Sequence, residues 1–409
     1  MKTIREIFRI GYGPSSSHTM GPRKAAELFL AAHPDAAKYQ AHLYGSLSAT
    51  GKGHLTDAAI IDVIPSVEIV WHNEFLPFHP NGMRFCAWDN QDNLLDDWTV
   101  YSVGGGALAE ENQEPGTKNK DSQLSTLNSQ LSTDIYPLTR LSDIKEYCDK
   151  MGWDYWEYVE HYEGKEIWDY LREVWQVMRE AVERGLDHEG VLPGPLHLRR
   201  KAASYYIKVA GYKDNLRTRG LVFSYALAVS EENASGGKIV TAPTCGSCGV
   251  LPAVLYHTWR SRDFSETRIL HALATAGLIG NVVKENASIS GAEVGCQGEV
   301  GVACAMASGA VNQLFGGTLA QIEYAAEMGL EHHLGMTCDP VCGLVQIPCI
   351  ERNAFAAARA LDSNMYAAFS DGTHNVTFDR VVDVMKQTGH DLPSLYKETS
   401  QGGLAATYE

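Results

Sequence analysis

Glu166-Ile-Trp-Asp-Tyr-Leu-Arg-Glu-Val-Trp-Gln-Val-Met-Arg-Glu-Ala-Val-Glu-Arg184 decides the fold class of this chain. Its apolar residues recur at helical spacing, as Leu171, Val174, Trp175 and Met178 illustrate. The same spacing runs through Ala202 to Ser230. Ile269 to Val283, rich in Ala, Leu and Gly, reads as a buried, tightly packed helix, and Asp379 to Gln387 as a last amphipathic one. From residue 141 onward the chain is therefore expected to be all helical.

The text before residue 141 is different. Ala58-Ala-Ile-Ile-Asp-Val-Ile64 and Ser66-Val-Glu-Ile-Val-Trp71 read as strands, and Pro22 to Ala32 as a helix following a loop. Trp98-Thr-Val-Tyr-Ser-Val103, followed by Gly104-Gly-Gly106, reads as a last strand ending in a flexible turn. Residues 110–140 read as a polar insert or linker. They contain a near repeat, Ser122-Gln-Leu-Ser-Thr126 and Ser129-Gln-Leu-Ser-Thr133, whose composition predicts disorder and no chemistry. The expected architecture is α+β: a small N-terminal α/β-sheet domain, 1–109, then an all-helical C-terminal domain, 141–409.

Composition narrows the class of function. A chain of 409 residues with 44% hydrophobic residues can bury a substantial core. A net charge of −16 argues against a nucleic-acid surface, which needs a basic patch. The stretch Met1-Lys-Thr-Ile-Arg-Glu-Ile-Phe-Arg-Ile10 is too charged to read as a signal peptide, and no apolar run suggests a membrane span. Unpatterned cysteines without a secretion signal predict a cytoplasmic setting, where thiols are free to bind metal.

Five of the nine cysteines, Cys296, Cys304, Cys338, Cys342 and Cys349, lie in one C-terminal region. Three sit in Gly-, Pro- and acid-punctuated text: Gly295-Cys-Gln-Gly-Glu299, Thr337-Cys-Asp-Pro340 and Pro348-Cys-Ile-Glu-Arg352. Loops and helix starts of that kind leave a thiolate free to point at a metal. Cys304, in Gly301-Val-Ala-Cys-Ala-Met-Ala307, reads as a small helix-packing residue. Three thiolates suggest an iron–sulfur cluster with one iron lacking a protein ligand, where a substrate could bind. The alternative is ordinary buried cysteines, since free Cys is among the most buried residue types.

Two further stretches offer polar chemistry. Gly11-Tyr-Gly-Pro-Ser-Ser-Ser-His-Thr-Met-Gly-Pro22 places Ser15, Ser16, Ser17, His18 and Thr19 just before a predicted helix, whose N-terminus favours an anion such as a carboxylate. A simple helix cap would use one of these hydroxyls. Thr50-Gly-Lys-Gly-His-Leu-Thr-Asp57 lacks the spacing of a phosphate loop. It sets His54 between glycines near Lys52, and histidine is the natural proton acceptor near neutral pH.

These stretches carry a family resemblance. Gly13-Pro-Ser-Ser-Ser-His-Thr19, Tyr44-Gly-Ser-Leu-Ser-Ala-Thr-Gly-Lys-Gly-His54, the text from Ala242-Pro-Thr244 to Gly249-Val-Leu-Pro252, Asn286 to Gly301, Thr337-Cys-Asp-Pro340, Pro348-Cys-Ile-Glu-Arg-Asn353 and Lys397-Glu-Thr-Ser400 occur in this order. The chain resembles the iron–sulfur-dependent L-serine dehydratases (L-serine ammonia-lyases) of single-chain bacterial type. The resemblance implies a [4Fe-4S] cluster on Cys296, Cys338 and Cys349 and no pyridoxal phosphate. It assigns substrate binding to Ser15, Ser16, Ser17, His18, Thr19 and Lys52, and proton abstraction to His54. It also implies L-serine as substrate, with another small hydroxy amino acid such as L-threonine as the alternative, and a homodimer.

Three positions depart from the family pattern. Cys245 makes a Cys245-Gly-Ser-Cys248 pair that could bind a second metal or act in redox, although Cys248 alone fits the family. Cys342 lies four residues after Cys338 and could compete as a ligand. Related single chains often carry a cysteine just past the Gly-Gly-Leu-Ala stretch, which caps the fourth iron. Here Gly402-Gly-Leu-Ala405 is followed by Ala-Thr-Tyr-Glu409, so water, hydroxide or the Glu409 carboxylate is the expected cap.

Overall fold

The computed structural model describes residues 1–111 and 134–407. A five-stranded sheet in the order β3-β2-β4-β5-β6 is built from β2 (Lys38–Tyr44), β3 (Val67–His72), β4 (Gly82–Trp88), β5 (Leu94–Ser102) and β6 (Leu108–Ala109). β2 and β3 are parallel; the other pairs are antiparallel. Alternation along β2 buries Tyr39, Ala41 and Leu43 on one face, together with Met83 and Phe85 of β4 and Val100 of β5. Helix Gly21–Ala32 covers that face with Ala25, Ala26 and Phe29. Phe29 stacks on Trp98 with ring centroids 6.3 Å apart. Burying a side chain of that size contributes about 1.5–3 kcal/mol, so this helix is held firmly against the sheet.

Ala58 to Ile64 is not a strand. It lies in helix Thr56–Val63 and the turn after it. Two parallel neighbours need a crossover, and this helix, with the short helix Ser46–Thr50, provides it between β2 and β3. Its buried positions, Thr56, Ala59, Ile60 and Ile64, follow helical spacing, while Ile61 is exposed. A short apolar run looks the same in either conformation.

Among the described residues the helical region has one strand, β7 (Lys238–Val240), which pairs antiparallel with β1 (Ile10–Tyr12). The first residues therefore pack with the helices: Ile4, Ile7 and Phe8 are fully buried there. Ala202 to Ser230 is two helices, Ala202–Val209 and Asp214–Ala234, separated at Ala210-Gly-Tyr-Lys213. The predicted insert falls largely on residues 112–133, outside the described residues. Its last residues are built into the core, with Tyr136 buried and its carbonyl accepting from the Met1 amine at 2.6 Å.

Helix Val300–Leu314 runs through the centre of the helical region. Small residues let its neighbours close in. A Cβ on Gly309 would come within 2.3 Å of Ile279, and one on Gly329 within 2.9 Å of the Ala305 Cα. Cys304 lies on this helix, fully buried, with its thiol 3.4 Å from the Ala356 carbonyl. Among the described residues no helix is long and apolar enough to cross a membrane.

Candidate active site

Ser16–Met20 forms one wide helical turn that runs directly into helix Gly21–Ala32. Ser15 caps it, its Oγ accepting from the His18 N–H at 3.1 Å. The turn is sealed from solvent: Ser15, Ser16, Ser17, His18 and Thr19 are all buried. Thr19 Oγ1 donates to the His54 carbonyl at 2.6 Å, so the two polar stretches singled out in the sequence are tied together.

The hydrogen-bond network assigns the protons of both histidines. Ser46 Oγ donates to the Glu398 carbonyl at 3.0 Å, so it must accept from His18 Nε2–H, also at 3.0 Å. His18 Nδ1 then holds a lone pair, filled by the Ser17 hydroxyl at 2.8 Å, and Ser15 supports Ser17 at 3.3 Å. Thr50 Oγ1 donates to the Ser46 carbonyl at 3.0 Å, so it accepts from His54 Nδ1–H at 3.1 Å. Among the described residues His54 Nε2 is left with an unshared lone pair. Both ring nitrogens of His18 are thus occupied, and of the pair His54 alone has a nitrogen without a partner among the described residues.

Burial sets the charge states. His54 is lowered from 6.5 to about 4 by desolvation. His18 is also lowered well below 6.5, by desolvation and then by His54, whose ring centroid lies 4.5 Å away. Both imidazoles are neutral at pH 7. The Glu398 carboxyl reaches them, with Oε1 3.5 Å from His18 Nδ1. Desolvation, and then the Glu299 carboxylate, raise Glu398 well above the usual carboxylate range, which favours its protonated form.

Glu398 also joins the histidines to the cysteines. Its N–H donates to the Cys338 carbonyl at 2.8 Å, and Cys338 N–H donates to the Tyr396 carbonyl at 2.8 Å. The Cys338 thiol lies 3.7 Å from Glu299 Oε2, whose other oxygen accepts from Thr244 Oγ1 at 2.8 Å. Cys349 opens helix Cys349–Ala368, where Asn353 Nδ2 binds the Cys349 carbonyl at 2.8 Å and the Gly246 carbonyl at 2.7 Å. Arg352 donates to the Thr337 carbonyl at 2.7 Å, pairs with Asp339 at 3.3 Å and reaches the Cys296 thiol. Burial pushes Cys296 up to about 11, against the pull of Arg352. Burial also raises Cys338 and Cys349, and each of these two feels Cys296, Glu299 and Glu398.

The donor set suits a polynuclear centre. Two sulfurs on one ion at a bond length near 2.3 Å lie no more than about 4.6 Å apart. The group of potential ligands whose donor atoms all lie within 4.8 Å, among the described residues, is His18, His54 and Glu398, and not the three thiols. At least one pair of the thiols therefore lies farther apart than 4.8 Å, and Arg352 stands beside Cys296 and Cys349. Thiols raised by burial need strong positive charge to ionise, which a metal centre supplies.

Comparison with known proteins decides the family. The family model described as serine dehydratase alpha chain matches residues 96–405, and that of the serine dehydratase beta chain matches 3–64 and 61–113. The chain belongs to the serine dehydratase family. It is 41% identical to L-serine dehydratase TdcG of Escherichia coli, with 98% of each chain covered. It is 38% identical to an L-serine dehydratase of Haemophilus influenzae, covering 99% of each, and 35% identical to one of Helicobacter pylori, covering 99% and 98%.

In this serine dehydratase chain the Ser-Ser-Ser-His-Thr turn and His54 come together, and so do Cys296, Cys338 and Cys349. Among the five residues of the turn, Ser16 makes no side-chain hydrogen bond to the described residues; the hydroxyls of Ser15, Ser17 and Thr19 are used within the protein. Lys52 stands apart, exposed, its Nζ 5.8 Å from the Trp71 ring centroid. Cys342 is exposed, while Cys245 and Cys248 are buried, Cys245 beside the Met20 sulfur at 3.4 Å. Glu409 lies outside the described residues. Glu398, Glu299 and Arg352 had no role in the sequence reading. The signal was adjacency: Glu299 and Arg352 each follow a cysteine by three residues, and Glu398 sits in Lys397-Glu-Thr-Ser400.

Proposed function

We propose that this protein is an L-serine ammonia-lyase, converting L-serine to pyruvate and ammonia at a [4Fe-4S] cluster held by Cys296, Cys338 and Cys349. The observation that carries this reading is the Glu398 bridge, which joins a buried histidine pair to Cys338, beside which lie Cys296 and Cys349. When bound, a cluster with one iron free of protein ligands supplies a Lewis acid for the substrate's β-hydroxyl. A site of this kind has no need of pyridoxal phosphate. A cytoplasmic homodimer is the expected form.

The residues of the chain supply the acid–base steps. His54 Nε2, neutral and unshared, takes the Cα proton of L-serine, a contribution of about 10²- to 10⁴-fold. Thr50 fixes the productive tautomer. Loss of the β-hydroxyl as hydroxide leaves aminoacrylate, which tautomerises and hydrolyses to pyruvate and ammonia in water. The turn Ser15–Thr19, at the start of helix Gly21–Ala32, faces the carboxylate, with Ser16 as its free hydroxyl. Lys52 draws the carboxylate from outside. A depressed His54 keeps the base form fully populated at neutral pH, although each proton transfer is weaker than with a base poised at 7.

The test is a coupled pyruvate assay on the anaerobic holoenzyme. Wild type should form pyruvate from L-serine, and His54→Ala should turn over at least about a hundredfold more slowly with its visible absorbance unchanged. Activity of His54→Ala within a few-fold of wild type would remove His54 from the role of base.

A further inference from the structure

The histidine pair and Glu398 are all buried, so a substrate must reach them from a neighbouring opening. A cleft of about 320 Å³ lies beside them. Its wall includes Pro14, next to Ser15, and Gly53, next to His54. Gly53 packs closely on the other side of the cleft, since a Cβ there would lie 2.9 Å from the Gly343 carbonyl oxygen.

The lining of the cleft has a definite chemistry. Lys52 brings a cation, and no carboxylate lines the wall among the described residues. Gln346 borders it from the opposite part of the sequence and is 2% exposed. Its Nε2 donates to the Pro193 carbonyl at 2.7 Å, which fixes the orientation of the carboxamide. Its Oε1 has no hydrogen-bond partner among the described residues. A buried acceptor left unpaired is costly, and a ligand donor would satisfy it. The Pro193 strap is itself closed, with Val191 bridged to Arg199 and Leu192 N–H donating to the Leu198 carbonyl at 2.8 Å. The acceptor is therefore held in place before any ligand arrives.

We infer that this cleft is an entry subsite for a free α-amino acid, whose ammonium binds Gln346 Oε1 while its carboxylate faces Lys52, before it moves on to His54. A cation and an acceptor lining one cleft match the two ends of a zwitterion. The inference deepens the serine-lyase reading and rests on it for the identity of the substrate. It goes further in making Gln346 the residue that selects amino acids over acids without an ammonium.

Cys342 provides a readout that does not depend on turnover, because it is exposed and lines the cleft. L-Alanine has the ammonium and carboxylate but no leaving group; pyruvate has the carboxylate alone. Alkylation of Cys342 in the anaerobic holoenzyme, followed by peptide mapping, should be slowed by L-alanine at concentrations about tenfold below those needed with pyruvate. Gln346→Leu should weaken that protection about tenfold or more, and raise KM for L-serine by a similar factor with kcat within about twofold. Gln346→Glu keeps the acceptor but loses the bond to Pro193, and should stay within about threefold of wild type in both. Equal protection by L-alanine and pyruvate, no protection, or equal losses in the two variants would overturn the inference; the last would leave Gln346 only a strap anchor. If wild type made no pyruvate from L-serine yet L-alanine protected Cys342 as described, the lyase reading would fall and the amino-acid subsite would stand.

Discussion

Thr50→Val probes the step on which the proposed chemistry turns. Thr50 is buried, and its hydroxyl both accepts from His54 Nδ1–H at 3.1 Å and donates to the Ser46 carbonyl at 3.0 Å. Valine has nearly the same shape and neither bond. An orphaned buried donor costs about 1–3 kcal/mol, which disfavours the Nδ1–H tautomer about 5- to 150-fold relative to the one with Nε2 protonated. That second tautomer cannot take a proton at Nε2. Steady-state pyruvate formation by the variant should therefore show kcat lower by about fivefold to a hundredfold, with KM within about threefold. Thr50→Ser restores the acceptor and should recover kcat to within about threefold. In a His54→Ala background, Thr50→Val should cost nothing further, because the two residues act as one unit. A wild-type kcat in Thr50→Val, or a full additional loss in the double variant, would refute the tautomer argument.

Other expectations follow from burial. His54 falls from 6.5 in the unfolded chain to about 4 in the folded one, so between those values the unfolded state binds more protons. Its contribution to stability is complete above pH 6.5 and is lost as pH falls towards 4, about 3 kcal/mol in all. Urea unfolding midpoints should therefore drop more steeply with acid in wild type than in His54→Gln; identical slopes would contradict the buried, neutral assignment. Cys296→Ser, Cys338→Ser and Cys349→Ser should each abolish the visible absorbance and the activity, whereas Cys304→Ser and Cys245→Ser should keep both. A cluster bleached by Cys342→Ser and retained in Cys349→Ser would show that the exposed thiol is the ligand.

Much of this was legible in the residues, and the gaps have physical causes. Long amphipathic stretches such as Ile167–Asp187 announce themselves, because one face of a helix must be apolar wherever it packs. Ala58 to Ile64 did not, since a short apolar run satisfies both a buried strand and a crossover helix, and the choice is made by the parallel pairing of β2 with β3. The pairing of β1 with β7 joins residues far apart in sequence, and neither three-residue strand carries a pattern of its own. The glycine- and proline-punctuated text pointed to His54 and the three cysteines, because close backbone approach needs glycine and proline. Glu398 escaped because its importance lies in what folding brings to it: His18 on one side and Cys338 on the other. Likewise, the row of serines looked like a set of free hydroxyls, and only the fold shows most of them holding His18 in one tautomer.

The central claim is that three thiols and a histidine pair form a single iron-dependent lyase site. Anaerobic purification followed by iron and acid-labile sulfide analysis, on the same sample assayed for pyruvate from L-serine, tests it most directly. The account predicts about four irons and four sulfides per chain, a broad visible shoulder, and pyruvate formation that rises in proportion to cluster content. A sharp pyridoxal band, or full activity in protein free of iron, would contradict it.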